Sequence, residues 1–90
     1  MNTKFTSNSW EDYQFWIEND QEILKKVNDL IKDTKRDFFK GLGKPEALKE
    51  DLQGFWSRRI NGEHRFVYYI EGKAPNQTVV VISCLFHYKK

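Results

Sequence analysis

Cysteine is almost missing from this sequence. Cys84 is the only one in 90 residues, so neither an intramolecular disulfide nor a cysteine-built zinc site is available. It lies inside an apolar run, where a lone thiol ordinarily behaves as a small buried hydrophobe and fits a reducing compartment. Long hydrophobic stretches are missing too. No segment reaches the length of a membrane span, and the opening MNTKFTSNSW has no signal-peptide apolar core. The expectation is a soluble, cytoplasmic protein that does not engage a membrane. Repeats, low-complexity tracts and linker-like stretches are also absent, which points to one domain over residues 1–90. Finally, there is no strong charge imbalance: the net charge of +2 names no partner by itself.

The charge that is present is unevenly spread. Residues 1–24 carry a net −4, residues 25–65 a net +4 and residues 66–90 a further +2. The middle of the chain is therefore the part that could meet a polyanion. Aromatic residues make up 16% of the chain, enough at this length to build a core without disulfides or metal.

Periodicity divides the chain in two. TKFT at 3–6 reads as a short edge strand. In SNSWEDYQFWIEND, the residues Ser7, Asn8 and Ser9 compete as N-caps, and Trp10, Tyr13, Trp16 and Ile17 form a helical stripe. Asn19-Asp20 breaks it, with Asp20 placed to cap a second helix. That helix has Ile23, Leu24, Val27, Leu30 and Ile31 on one face and Lys32, Lys35 and Arg36 toward its C-terminal end, where cations suit the dipole. GLGKPEALKEDLQG then reads as a loop with one helical turn at 45–51. FWSRRINGEHRFVYYI is a hairpin signal centred on Asn61-Gly62, and TVVVISCLFHY is nearly continuous apolar, as in a strand buried on both faces. The order predicts an α+β fold: an N-terminal strand and a two-helix hairpin packed on a mostly antiparallel twisted sheet of about four strands.

A two-residue type I′ turn at Asn61-Gly62 sets a definite register, with Arg58 opposite Arg65 and Arg59 opposite His64. Trp56, Arg58, Ile60, Glu63, Arg65 and Val67 then share one face, and Phe55, Ser57, Arg59, His64, Phe66 and Tyr68 the other. Opposed arginines repel by about 0.2–1 kcal/mol. Either an acid such as Glu63 neutralises them or they await an anion, and guanidinium grips phosphate bidentately. Glu46 and Lys49, three apart, share a face if that segment is a helical turn. Alone they make an ordinary surface ion pair; beside an arginine-lined sheet they become a base and a charge stabiliser. His64 and His87 carry the same ambiguity between structural and chemical roles.

Taken together, GKPEALK, GFWSRRINGEHRFVYYI and the terminal His-Tyr resemble the YoeB (Txe) branch of the RelE/ParE toxin superfamily, the ribosome-dependent mRNA interferases of type II toxin–antitoxin modules. SWEDYQFW and VNDLIKDTKRDFFKGLGKPE extend the resemblance over nearly the whole chain, while the segment after Ile70 is less similar and Lys89-Lys90 run past the usual His-Tyr end. The resemblance implies endonucleolytic cleavage of mRNA in the ribosomal A site with no metal or other cofactor. It implies Glu46 as general base, Arg65 as phosphate and transition-state binder, and His87 as general acid. Tyr88 would position the nucleotide, Lys49 would add positive charge and Arg59 would contact substrate or rRNA. Arg58 joins this list from the register alone. The implied partners are mRNA, the 70S ribosome and a YefM-like antitoxin with an acidic tail, and the resemblance allows a homodimer of the free toxin. A non-catalytic basic module of the same fold, binding RNA or protein, is the alternative, since fold does not fix function.

Overall fold

Asp20 lays out the helical half. Its backbone N–H donates to the Trp16 carbonyl, closing α1 (Ser7–Asn19), while its carboxylate accepts from the amides of Glu22 and Ile23, opening α2 (Gln21–Arg36). One residue thus caps two helices, which forces the chain to turn sharply between them. At the other end of α1 the cap is Thr6 and not one of the three residues after it. Thr6 and Ser9 exchange side-chain and backbone hydrogen bonds in a capping box. The apolar stripe of α2 behaves as its spacing predicts: Val27 and Leu30 are buried, and Lys35 and Arg36 occupy the last turn.

The computed structural model describes residues 1–86; His87, Tyr88, Lys89 and Lys90 lie outside the described residues. The strands are β1 (Asn2–Phe5), β2 (Glu46–Ala47), β3 (Trp56–Arg59), β4 (Arg65–Glu71) and β5 (Thr78–Ser83), in the spatial order β1-β5-β4-β3-β2. β1 runs parallel to β5, and the remaining pairs are antiparallel. β5 lies between β1 and β4, which accounts for its unbroken apolar run: Val79, Val80 and Val81 are all buried. Trp16, Val27 and Leu30 pack from the helices onto Ile60, Phe66, Tyr68, Val79 and Val81, giving one core on one side of the sheet. Among the described residues no helix is long and apolar enough to cross a membrane.

Three expectations need correction. The segment at 45–51 is not a helical turn. Glu46–Ala47 forms a fifth strand by pairing with Ser57 and Trp56, and the 3-10 turn Glu50–Leu52 follows. The β3–β4 connection is not a two-residue type I′ turn either. Asn61 Oδ1 accepts from the amides of both Glu63 and His64 at 2.8 Å, and Ile60 N–H donates to the His64 carbonyl at 3.0 Å. The loop therefore holds three residues, and the register moves by one. Arg59 faces Arg65, and Arg58 faces Phe66. Third, the last strand stops at Ser83, and Phe86 is exposed.

Candidate active site

The shift in register exchanges the two arginines of β3. Arg58 lies on the helix-covered side and is wholly buried, whereas Arg59 is exposed on the opposite side. The guanidinium of Arg58 has five N–H donors, and every one is engaged. Nε donates to Tyr68 Oη (3.2 Å), Nη1 to Asp33 Oδ2 (2.7 Å) and the Leu42 carbonyl (3.1 Å), and Nη2 to the carbonyls of Asp37 (2.7 Å) and Lys40 (3.1 Å). No donor remains for a phosphate, so the reading of Arg58 as a substrate binder is withdrawn. It ties the loop from Asp37 to Leu42 down onto the sheet. Asp33 completes this anchor. The Leu42 amide above all, with Arg36 and Arg58 helping against partial burial, holds its carboxyl down at about 2. Gly43 continues the same loop along the edge of β3, accepting from Arg59 N–H. It does so at φ +78°, where an added Cβ would lie 2.8 Å from the Arg59 carbonyl oxygen.

The face of the sheet away from the helices carries the other candidates. Alternation from the observed register puts Glu46, Ser57, Arg59, Arg65, Val67 and Tyr69 on it together. Val67 and Val80 are buried there, and Phe55 stacks on Tyr69 with centroids 5.5 Å apart. Arg59 and Arg65 are directly opposed, so the juxtaposition of like charges that the sequence suggested does exist, with Arg59 in the place of Arg58. Arg65 is half-buried and its Nη1 donates to the carbonyls of Asn61 (2.8 Å) and His64 (3.1 Å), which aims the group without neutralising it. Glu46 stands two strands away and two residues further along, which strand geometry makes roughly 12 Å between Cα atoms. Long side chains from both ends can reach into that gap. Lys49 is exposed and follows Glu46 around a cleft of about 280 Å³ lined by residues 46–52. The cleft brings Glu46 and Lys49 to one feature, although by a strand and a turn instead of a helix face.

Among the described residues no group of three or more His, Cys, Asp or Glu side chains could hold a metal ion. Cys84 has no exposed surface, and burial pushes its thiol up to about 12, which leaves it inert. His64 turns out to be structural in the first instance: it is buried and its Nδ1 accepts from the Phe86 amide. His87 and Tyr88, given by the resemblance as acid and nucleotide support, fall outside the described residues. Phe86, immediately before them, is fixed at the start of β4, because its carbonyl accepts from Arg65 N–H at 3.0 Å.

A model of the YoeB-like toxin of bacterial type II toxin–antitoxin systems matches residues 5–88. The chain belongs to the YoeB toxin family. It is 50% identical to Toxin YoeB of Synechocystis over all 90 residues, covering the whole of both chains. A solved YoeB/ParE toxin from Agrobacterium tumefaciens superposes with a TM-score of 0.94 at 52% identity, over 98% of this chain and 100% of the other. The YoeB protein of Staphylococcus aureus, solved as a dimer (40% identity) and as a YoeB–YefM complex (39% identity), superposes with a TM-score of 0.86 in each case, over 98% of both chains. The YoeB fold is thus present here with two helices and a five-stranded sheet. Sequence reasoning missed Asp33 as the partner of Arg58 and missed Arg59 as the arginine facing Arg65; the signal for both was Asn61, a residue whose side chain readily builds a local turn of its own.

Proposed function

We propose that this chain is a ribosome-dependent endoribonuclease that cleaves translated mRNA in the ribosomal A site and so stops translation. The observation that carries the reading is the face holding Glu46, Arg59 and Arg65. Two guanidinium groups stand opposed with no acid between them in register, and a carboxylate stands across a gap from them. A sheet selected for stability alone gains from losing one member of such a pair. A phosphodiester gives both arginines a partner.

RNA brings its own nucleophile. Glu46 takes the proton of a 2′-OH as that oxygen bonds to the adjacent phosphorus. Arg65, with Arg59 and Lys49, meets the charge that builds on the nonbridging oxygens, and a guanidinium does this without losing its proton. The bond from phosphorus to O5′ breaks, and His87 gives that oxygen a proton. The products are a 2′,3′-cyclic phosphate and a 5′-OH end. Tyr88 supports the nucleotide. No step calls for a metal, because the nucleophile is activated by a carboxylate and the leaving group by an acid. An unperturbed imidazole is only about one quarter protonated at pH 7, so a substrate phosphate beside His87 raises its competence as an acid. Naked RNA offers the same phosphate, so the ribosome's part is to hold the 2′-OH, the phosphorus and O5′ in line, and cleavage is expected to be slow on naked RNA and fast on ribosome-bound mRNA. The Staphylococcus aureus complex with YefM supports an antitoxin partner for this chain, and the dimer supports self-association. The cytoplasm, where translation takes place, is its site of action.

The test is to express the chain briefly in bacteria and map new mRNA 5′ ends, in parallel with Glu46→Gln, Arg65→Ala and His87→Ala. Cuts in phase with translation, lost in all three variants while ribosome binding persists, are expected. Growth arrest that survives all three substitutions without new ends would refute the enzyme reading and leave a basic binding module in its place.

A further inference from the structure

Between β5 and Phe86 the chain is fastened by four hydrogen bonds from separate parts of the fold. Cys84 N–H donates to Asp12 Oδ2 at 3.0 Å, and the Cys84 carbonyl accepts from Trp16 Nε1 at 2.8 Å. Phe86 N–H donates to His64 Nδ1 at 2.7 Å, and the Phe86 carbonyl accepts from Arg65 N–H at 3.0 Å. The first pair ties the segment to α1, and the second ties it to two consecutive residues at the head of β4. Phe86 has few other reasons to stay in place. It is 54% exposed and sits at φ +61°, a conformation that persists in a residue with a Cβ only when its surroundings impose it. Polar contacts hold it there, not burial of its ring.

The His64 ring is well placed to impose that constraint. It is 6% exposed and packs edge-on against Trp16, with centroids 4.8 Å apart, and beside Phe86 at 5.3 Å. An amide can only donate, so Nδ1 must accept, and the neutral ring carries its hydrogen on Nε2, which faces Glu63 Oε1 at 3.6 Å. Neighbouring residues thus divide two tasks. His64 holds the amide of Phe86 by its side chain, and Arg65 holds the carbonyl by its backbone while its guanidinium stays on the candidate phosphate-binding face.

We propose that His64 is a positioning residue: by accepting from the Phe86 amide it holds the chain after β5 against the head of β4, beside Arg65, and turnover depends on that fixation because the acid assigned above follows Phe86 in the sequence. The proposal rests on the ribonuclease reading above. Misplacing a reacting group by about 1 Å costs on the order of 10²-fold in rate, so the clamp acts on turnover and leaves substrate binding to the arginines.

The experiment compares the wild-type chain with His64→Phe, which keeps a ring against Trp16 but offers no acceptor, and His64→Asn, whose Oδ1 can stand where Nδ1 stood. Cleavage of ribosome-bound mRNA gives kcat and KM separately, and amide hydrogen exchange reads the Phe86 N–H directly. His64→Phe is expected to lose about 10²-fold in kcat with KM little changed and with rapid exchange at Phe86. His64→Asn is expected to recover most of the rate and the protection. If His64→Phe does not fold, His64→Gln replaces it, since its oxygen reaches the Nε2 position instead. His64→Gln must then be the slow variant and His64→Asn the fast one. The proposal is overturned if the acceptor-less variant turns over like the wild type, or if His64→Asn is as slow as the acceptor-less variant. A wild-type chain that leaves translated mRNA intact refutes the ribonuclease reading itself and with it the purpose of the clamp. An active wild type with an equally active His64→Phe refutes the clamp alone.

Discussion

Replacing Arg58 by alanine removes five hydrogen bonds and one buried ion pair in a single step. Breaking a buried pair by deleting one partner costs about 3–5 kcal/mol, mostly because the other charge is stranded. Asp33 is not fully stranded, since it keeps Arg36 Nε at 3.0 Å and the Leu42 amide at 2.8 Å, which moves the expectation to the lower part of that range. Against this, the carbonyls of Asp37, Lys40 and Leu42 lose a charged donor, and a long side chain leaves a void under the loop. The net expectation is about 3–4 kcal/mol, a substantial fraction of the roughly 5–15 kcal/mol that holds a domain of this size. At about 4–8 °C per kcal/mol for domains of this size, Tm should fall by roughly 12–32 °C. Lysine does not rescue it, because one ammonium with three donors cannot serve five acceptors spread over Asp33, Tyr68 and the loop. Calorimetry or urea unfolding followed by circular dichroism measures the effect. An Arg58→Ala chain that melts within about 2 °C of the wild type while losing affinity for RNA would overturn this assignment, for the guanidinium would then be serving substrate and not the loop.

The carboxyl of Asp33, held at about 2, lies below its unfolded value of 3.8, so its contribution is complete above pH 4 and drains away as pH falls toward 2. Acid titration of stability should show this loss in the wild type and a flatter profile in Asp33→Asn; equal slopes would contradict a carboxyl held down by the Leu42 amide and the two arginines. Gly43→Ala should destabilise by about 1–3 kcal/mol, because φ is +78° and the new Cβ meets the Arg59 carbonyl at 2.8 Å; unchanged urea midpoints would show that the loop relaxes freely. Cys84 should resist iodoacetamide at pH 8 in the native chain and react in urea, as its thiol is buried and pushed up to about 12; native labelling at the rate of a free thiol would mean that the strap after β5 opens readily. Arg59→Ala, unlike Arg58→Ala, should leave Tm nearly unchanged and weaken cleavage, since its side chain is exposed on the face with Arg65; a large loss of stability would return Arg59 to a structural role.

Local signals carried most of the fold. The stripe of α2, the cap at Asp20 and the doubly buried β5 were all readable, because each depends on residues close in sequence. Two of the features that were not readable depend on distant partners. Two residues at 46–47 form a strand only because the free edge of β3 accepts them. β5 ends at Ser83 because Asp12 and Trp16 capture the backbone of Cys84. The largest error came from the smallest cause. Asn61 added one residue to a turn, and a slip of one residue sends every side chain of a strand to the other face. That slip exchanged Arg58 for Arg59 at the candidate site, while the underlying pattern of two arginines facing each other survived it.

The position of β5 also governs when the molecule can exist at all. β5 is made last among the strands yet lies between β1 and β4, with Asn2 paired to Thr78 and Tyr69 to Val80. Until it has been synthesised, β1 has no neighbour, one edge of β4 is open, and no Phe86 has reached His64 and Arg65. The parallel pairing of β1 with β5, which joins opposite ends of the sequence, forms late and slowly. A ribosome making this chain therefore carries an unpaired β1 and a half-open β4 until β5 follows them, and the sheet, with the face that holds Glu46, Arg59 and Arg65, closes only when that strand arrives between them.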